Sequence, residues 1–491
     1  MRTMRPTLFW FLFVLSLGAA SAFGQVATGT PPFGSYGGGP DVLNLANLNA
    51  HFTLPVLNKA GRGMPFTYNL AYDTSVWTPV VSGSTMIWQP ASNWGWGAVT
   101  QVAMGYLTNH QTVSDYCGYY NVKGYFVRTG TIYAVSGWTY LDKFGRTHYF
   151  AGTSFDDVGT NCPGSSGFSI ATTDGSGYTL EAIGGSGTVV ARDGTSIVPP
   201  VDSGTGSATA TDPNGNQISV SSTGVFTDTL GTTALTVSGS GTSTSPLVFA
   251  YTPPAGGTAE YTMKYTAYTI LTNFGCSGIG EYSATGVPLV SAIELPDGTE
   301  YTFTYEATPS HSGDVTGRLA SVTLPTGGTI SYAYSGGSNG IVCADGSTAT
   351  LTRTTPDGTW MYAHSESGSS WATLITEPMY NGVSNQTNIN FQGIYETERQ
   401  SYQGSSTSGT LLKTRIRCYN GNTSSCNTTA ITLPITQRNA TIQWPGGKQS
   451  EVNTFYNNVG LVTETDEYDY GNGAPPSTPL RKTLTTYASI K

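Results

Sequence analysis

The chain has 491 residues, of which only 10% are charged, and a formal net charge of −9. Ordinary soluble domains carry roughly 25% charged residues. With no Lys/Arg run, the sequence offers nothing that would bind nucleic acid, and an anionic membrane surface is equally unsupported. Glycine (62) and tyrosine (30) are abundant, as are serine and threonine. This is the composition of turn-rich β structure whose wet faces carry hydroxyls instead of charges. Aromatics reach 12% and fall at strand spacing, which argues against low-complexity disorder.

Residues 1–22 read as a secretory signal peptide. Arg2 and Arg5 precede an apolar run from Leu8 to Leu17, and Ala20-Ser21-Ala22 supplies a small-residue cleavage site. That run is about half the roughly 20 residues needed to cross a bilayer, and no later segment is long and apolar enough to span one. The expected location is therefore outside the cell or at its surface, with the periplasm as a further compartment. Six cysteines, Cys117, Cys162, Cys276, Cys343, Cys418 and Cys426, suit an oxidising environment. Six cysteines allow about 15 connectivities, among which sequence does not choose. Cys418–Cys426 is the pairing we favour, because Asn420-Gly421 between them can turn a hairpin. Cys117–Cys162 and Cys276–Cys343 rest on adjacency alone. No CxxC spacing or His/Cys cluster suggests zinc.

Residues 23–50 read as a Pro/Gly-rich linker with little to bury. Residues 51–135 form a Trp-rich, sandwich-like β domain, in which Phe66 to Tyr72 alternates cleanly. Trp77, Trp88, Trp94 and Trp96 lie here and Trp138 just beyond. Either they plug the core, or Trp88, Trp94 and Trp96 form an exposed platform for sugar rings. On a strand, Trp94 and Trp96 would share a face.

Residues 136–280 read as a ladder of β-hairpins. Asp-x-x-Gly recurs at Asp142, Asp174, Asp212 and Asp228, each copy followed by an alternating run. Aspartate at the first turn position can bond the backbone two residues on, and glycine closes the turn. Calcium loops need several acidic ligands, whereas each copy carries one aspartate.

In residues 281–491 one phrase occurs twice at an offset of 29 residues, from Ile293 and from Val322. Each copy is a strand, a tight turn and a second strand. The turns contain Pro296-Asp297-Gly298 and Pro325-Thr326-Gly327. Tyr301, Phe303 and Tyr305, and likewise Ile330, Tyr332 and Tyr334, alternate with small polar residues, so the six are expected on one packed face. A third copy begins at Pro356-Asp357-Gly358 and a looser fourth at Trp444-Pro445-Gly446-Gly447-Lys448.

Tyr456-Asn457-Asn458-Val459-Gly460-Leu461, Gly317-Arg318-Leu319 and the Asp-x-x-Gly-Arg of Asp142–Arg146 resemble the YD-repeat, or RHS, family of large bacterial exported proteins, over residues 140–491. The resemblance implies an all-β ribbon that spirals into a hollow shell and encloses or presents a C-terminal domain, often toxic. The family's core-end motif is absent, and the chain stops at Leu484 to Lys491 in the rhythm of another strand. The sequence is thus expected to be an incomplete member. Its partners would be downstream repeats or a C-terminal domain missing from this chain.

Local chemistry is sparse. His51, His110, His148, His311 and His364 form no HExxH pair. Gly336-Gly337-Ser338-Asn339-Gly340 matches a nucleophile elbow formally, but a strand follows it where the elbow needs a helix. Asp466, Glu467 and Asp469 read as a solvated strand edge. The expectation is a non-enzymatic exported scaffold without a cofactor. The alternatives are a protein that binds cell-surface glycans and, last, a secreted glycan-active enzyme.

Overall fold

The computed structural model describes residues 32–102, 105–143, 145–201 and 206–488. The expected signal peptide lies outside them. The described chain is all β, with one short 3-10 turn at Ser92–Gly95. Four sheets are present. A five-stranded sheet orders Tyr36–Gly38, Val42–Asn44, Ala50–Lys59, Phe66–Asp73 and Trp96–Thr100. A hairpin of Trp77–Ser82 and Thr85–Pro90 takes a third, parallel strand from Ile279–Gly280. A four-stranded sheet is built on Tyr106–Tyr120 and Phe126–Leu141, with Thr147–Phe150 and Ser154–Gly159. The fourth sheet has 24 strands, from Gly167–Ala171 to Arg481–Leu484.

Almost every strand of the long sheet pairs antiparallel with the next strand in the chain, and a five-residue turn recurs in several of the connections. At Leu295–Thr299 the first N–H donates to the fifth carbonyl at 2.8 Å and the glycine N–H donates to the first carbonyl at 2.9 Å. Leu324–Gly328, Asp212–Asn216, Asp228–Thr232, Trp444–Lys448 and Asn457–Leu461 repeat both bonds. Gly298 and Gly327 stand at φ 82° and 87°, where a side chain is strained. Asp212 and Asp228 accept N–H groups of their own turns, and Asp297 accepts that of Thr299. The two turn phrases of the sequence are therefore one structure. The third copy differs: Thr355 pairs with Gly358, which leaves only Pro356 and Asp357 to turn the chain.

The long sheet curls until its beginning meets its far end. Arg192 Nη1 donates to the Gly460 carbonyl at 3.3 Å. A Cβ added at Gly460 would stand 2.4 Å from the Gly175 carbonyl oxygen, and one at Gly177 would stand 3.1 Å from Val459. The five-stranded sheet lies inside the curl. One continuous core joins Leu43 to Val102 with inner-face residues from Ile197 to Phe391.

Several expectations are corrected. Residues 36–50 are not a linker. They contribute two strands, and Asp41 through Ala50 are nearly all buried. The boundaries at 135/136 and 280/281 are not breaks, since Phe126–Leu141 and the long sheet run through them. The final strand ends at Leu484; residues 485–488 leave it, and 489–491 lie outside the described residues.

Three disulfides join Cys117–Cys162, Cys276–Cys343 and Cys418–Cys426. The last does not staple a hairpin. The strand ending at Tyr419 pairs with Gln437–Gln443, and Cys426 sits in the intervening loop.

His148 links the four-stranded sheet to the long sheet. Its Nε2 lies 3.0 Å from Asp142 Oδ2 and its Nδ1 2.5 Å from Asp174 Oδ2. Burial alone would lower its pKa, but the two carboxylates outweigh burial and raise it. Burial opposes ionisation of Asp174 as well, yet the bonds from His148 and Ser176 hold its pKa far below the usual range. The histidine contributes stability that is complete below its unfolded value and is lost as pH rises through the raised one. The aspartate's contribution is present above its unfolded value and is lost only at far lower pH. The joint is therefore firmest between about pH 4 and 6.5. Amide protection at residues 172–180 should be lower at alkaline pH than at mildly acidic pH, and His148→Gln should remove the difference. Equal protection in the native protein would contradict the assignment.

Candidate functional site

The sugar platform expected of Trp88, Trp94 and Trp96 does not form. Trp88 and Trp96 are 1% and 6% exposed. Trp96 packs edge-on to Phe303 at 5.0 Å between ring centroids, and Trp88 to Phe274 at 5.3 Å. Trp94 sits in the 3-10 turn and not on a strand, with its ring 5.7 Å from that of Trp77. These rings face the curled sheet because that is where apolar area can be covered. Phe303, Tyr305, Ile330 and Tyr332 are buried in the same core, and Tyr301 and Tyr334 pack against it. Pro296, Asp297, Gly298, Pro325 and Gly327 form the turns at the rim.

The distinctive construction is the seam between the inner sheet and the wall. Its N-terminal part, from Phe33 to Leu45, meets the later wall strands, and Phe52 to Tyr72 meets the earlier ones. Phe66 and Tyr68 meet Phe226, Phe52 meets Tyr301, and the Tyr72 hydroxyl accepts the Leu319 N–H at 3.1 Å. Asp41 then reaches Tyr332 and Arg353, Thr373 Oγ1 donates to the Leu45 carbonyl at 2.7 Å, and Phe33 packs on Tyr456 at 5.3 Å. The inner segment thus crosses the wall strands one after another, like a spine.

Buried charges latch it. The Asp41 side chain is fully buried and takes two nitrogens of Arg353, with Nε donating to Oδ2 at 2.8 Å, and the Tyr332 hydroxyl at 2.9 Å. Arg353 Nη2 also donates to the Gly39 carbonyl at 2.8 Å. Farther along, Glu396 accepts Ser35 Oγ and is paired with Arg399 at 2.6 Å and Arg417 at 3.3 Å. Burial would raise the Glu396 pKa, but the arginines outweigh it and hold the carboxyl below its usual range. At the other end, Lys59 pairs with Asp228 at 2.6 Å. Burial opposes ionisation there too, yet the lysine and the turn's own donors bring Asp228 down to about 2.

One set of groups has the outline of a relay. Asn49 Nδ2 donates to Asp73 Oδ1 at 2.6 Å, His51 Nδ1 lies 2.9 Å from the same oxygen, and His51 Nε2 lies 3.0 Å from Thr53 Oγ1. Of these, His51 and Asp73 border a cleft of about 470 Å³ between the five- and four-stranded sheets. The alignment follows from strand geometry, since His51 and Thr53 are two residues apart and His51 faces Asp73 across the ladder. Burial lowers the His51 pKa, but Asp73 outweighs it and raises it. The elbow-like Gly336–Gly340 segment is a turn whose Asn339 and Gly340 carbonyls accept the Arg318 guanidinium, at 3.1 and 2.9 Å. Among the described residues, no group of three or more His, Cys, Asp or Glu side chains is placed to hold a metal ion. No helix among them is long and apolar enough to cross a membrane.

The sequence reading missed the latch residues Ser35, Asp41, Arg353 and Glu396. A signal was present for Arg353: it shares a strand face with Leu351, so a charge is directed at the core of a charge-poor protein.

No family model matches the chain, and no curated protein matches it. Among solved structures, a mutant Tc holotoxin pore of Photorhabdus luminescens is similar at 10% identity and a TM-score of 0.19, over 86% of this chain and 23% of that chain. A likeness of that size transfers no function.

Asp41→Ala should destabilise the protein by about 3–5 kcal/mol in urea unfolding, because it strands the Arg353 charge in the core. Asp41→Leu combined with Arg353→Met should recover most of that loss. A single-variant loss under about 1 kcal/mol would show that the latch is solvated.

Proposed function

We propose that the chain is an exported, non-enzymatic β scaffold of the RHS type: a stretch of enclosing wall whose inner sheet plugs one end. The observation that carries this reading is the curl of the 24-stranded sheet around the five-stranded sheet, closed by the meeting of Gly175 and Gly460. Disulfides and a charge-poor, hydroxyl-rich surface suit a protein that works outside the cytoplasm. From Ile197 to Phe391 the inner face carries a buried apolar core where the family resemblance implies a hollow, which fits an end plug.

Among the described residues, the wall's last strand, Arg481–Leu484, pairs only with its predecessor; it is exposed on both faces, with Leu480 and Leu484 open to solvent. An exposed edge strand leaves backbone N–H and C=O groups that a further strand can pair with. On this reading the strand is where downstream repeats, or the domain to be presented, would join.

Hydrogen exchange on protein isolated from its own host tests the reading. Amides of 481–484 should be protected by an added strand, relative to the isolated chain. Exchange at the same fast rate in both would contradict the continued wall. Turnover of ester or glycoside substrates that His51→Gln abolishes would replace the scaffold reading with an enzymatic one.

A further inference from the structure

We infer that the tip of the hairpin Tyr106–Tyr120/Phe126–Leu141 is a membrane-docking wedge that enters the interfacial layer of an anionic lipid surface. The third strand of this sheet pairs with residues 130–135, so the ribbon beyond Gly130 is two-stranded and stands clear of the body. Its turn is the rigid five-residue type. Asn121 N–H donates to the Tyr125 carbonyl at 2.9 Å, Gly124 N–H to the Asn121 carbonyl at 2.8 Å, and Asn121 Oδ1 accepts the Lys123 and Tyr125 N–H groups. The Cys117–Cys162 disulfide ties the base of the tip to the adjoining segment.

This tip exposes several aromatics close together. Val122 is fully exposed, Tyr120 is 74% and Tyr125 68% exposed, and Tyr119 and Phe126 are about half exposed. Consecutive strand residues point to opposite faces, so Tyr119 and Tyr120, then Tyr125 and Phe126, place rings on both sides of the ribbon. A sugar platform would need its rings on one face. Here Tyr120 and Phe126 meet edge-on at 5.5 Å, and the arrangement is a wedge. Tyrosine, with an apolar body and a polar end, is suited to the membrane–water boundary. The projecting part reaches roughly 10 Å, the depth of that boundary and far short of a span.

Charge agrees. The protein as a whole carries −9, yet residues 116–130 contain Lys123 and Arg128 and no acidic residue. Arg128 is held 3.7 Å over the Tyr116 ring. The acidic groups of this sheet, Asp115, Asp156 and Asp157, lie toward its root. The overall anionic balance that made membrane binding unsupported from composition does not describe the tip.

Vesicle flotation of the full exported chain tests this, with phosphatidylcholine alone or mixed with phosphatidylserine. The native chain should float with the mixed vesicles and far less with phosphatidylcholine alone. Tyr120→Ser combined with Tyr125→Ser should cut partitioning about tenfold or more, and Lys123→Glu should remove the preference for the anionic lipid. All six native cysteines are bridged, so Val122→Cys can carry an environment-sensitive dye, which should shift to the blue on the mixed vesicles. No flotation and no shift would overturn the inference, as would flotation that the tip variants leave unchanged. Equal binding to both vesicle types would overturn its anionic-surface part. Self-association or glycan binding that the same variants abolish, without flotation, would reassign the tip to a protein or sugar partner.

Discussion

Everything in this structure follows from one constraint: a 24-stranded antiparallel sheet has one apolar face, and that face must leave water. An open sheet of that width would expose it along its whole length. The chain meets the constraint twice over. The sheet curls, as twisted strands do when stacked in number, and the five-stranded sheet fills the curl. The large rings that a small domain would use for its own core, such as Trp96, Phe66 and Tyr68, are spent on the wall instead. Charges are few, and those buried at the seam are partnered. Asp41, Arg353 and Glu396 therefore sit in the core as fixed points of the seam.

The five-residue turn is the second element of the construction. Where it occurs, two backbone bonds and a left-handed glycine set the register of the hairpin, so the wall can lengthen strand by strand with no helix to cover it. A turn that tolerates aspartate, leucine, asparagine or tryptophan at its first position can recur without a recurring sequence. This is why the repeat reads as degenerate along the chain while its geometry is regular.

That difference also sorts what could be read from sequence. Alternation and glycine are local signals, so the strands around Tyr301–Tyr305 and Ile330–Tyr334 and the turns between them were legible. The same turn was read as two phrases, Asp-x-x-Gly and Pro-Asp-Gly, because the side chains differ while the hydrogen bonds do not. Residues 36–50 look like a linker because proline and glycine dominate nearby. Their burial depends on partners some 290 to 330 residues away, among them Tyr332, Arg353 and Thr373. The tryptophans were ambiguous for the same reason: what covers Trp96 is Phe303, and local spacing carries no trace of it. The hairpin tip, by contrast, exposes a cluster of tyrosines and a phenylalanine.

The central claim is that the wall closes on itself, and the distance between its two meeting turns tests it most directly. Cysteines introduced at Asp193 and Asn458, both exposed, can carry a donor and acceptor dye, since the native cysteines are all bridged. Along the sheet the two turns are separated by about nineteen strand spacings, or roughly 90 Å if the ribbon were open. The closed wall predicts energy transfer near its maximum, lost on unfolding. Transfer near zero in the folded protein would mean an open ribbon and would contradict the account.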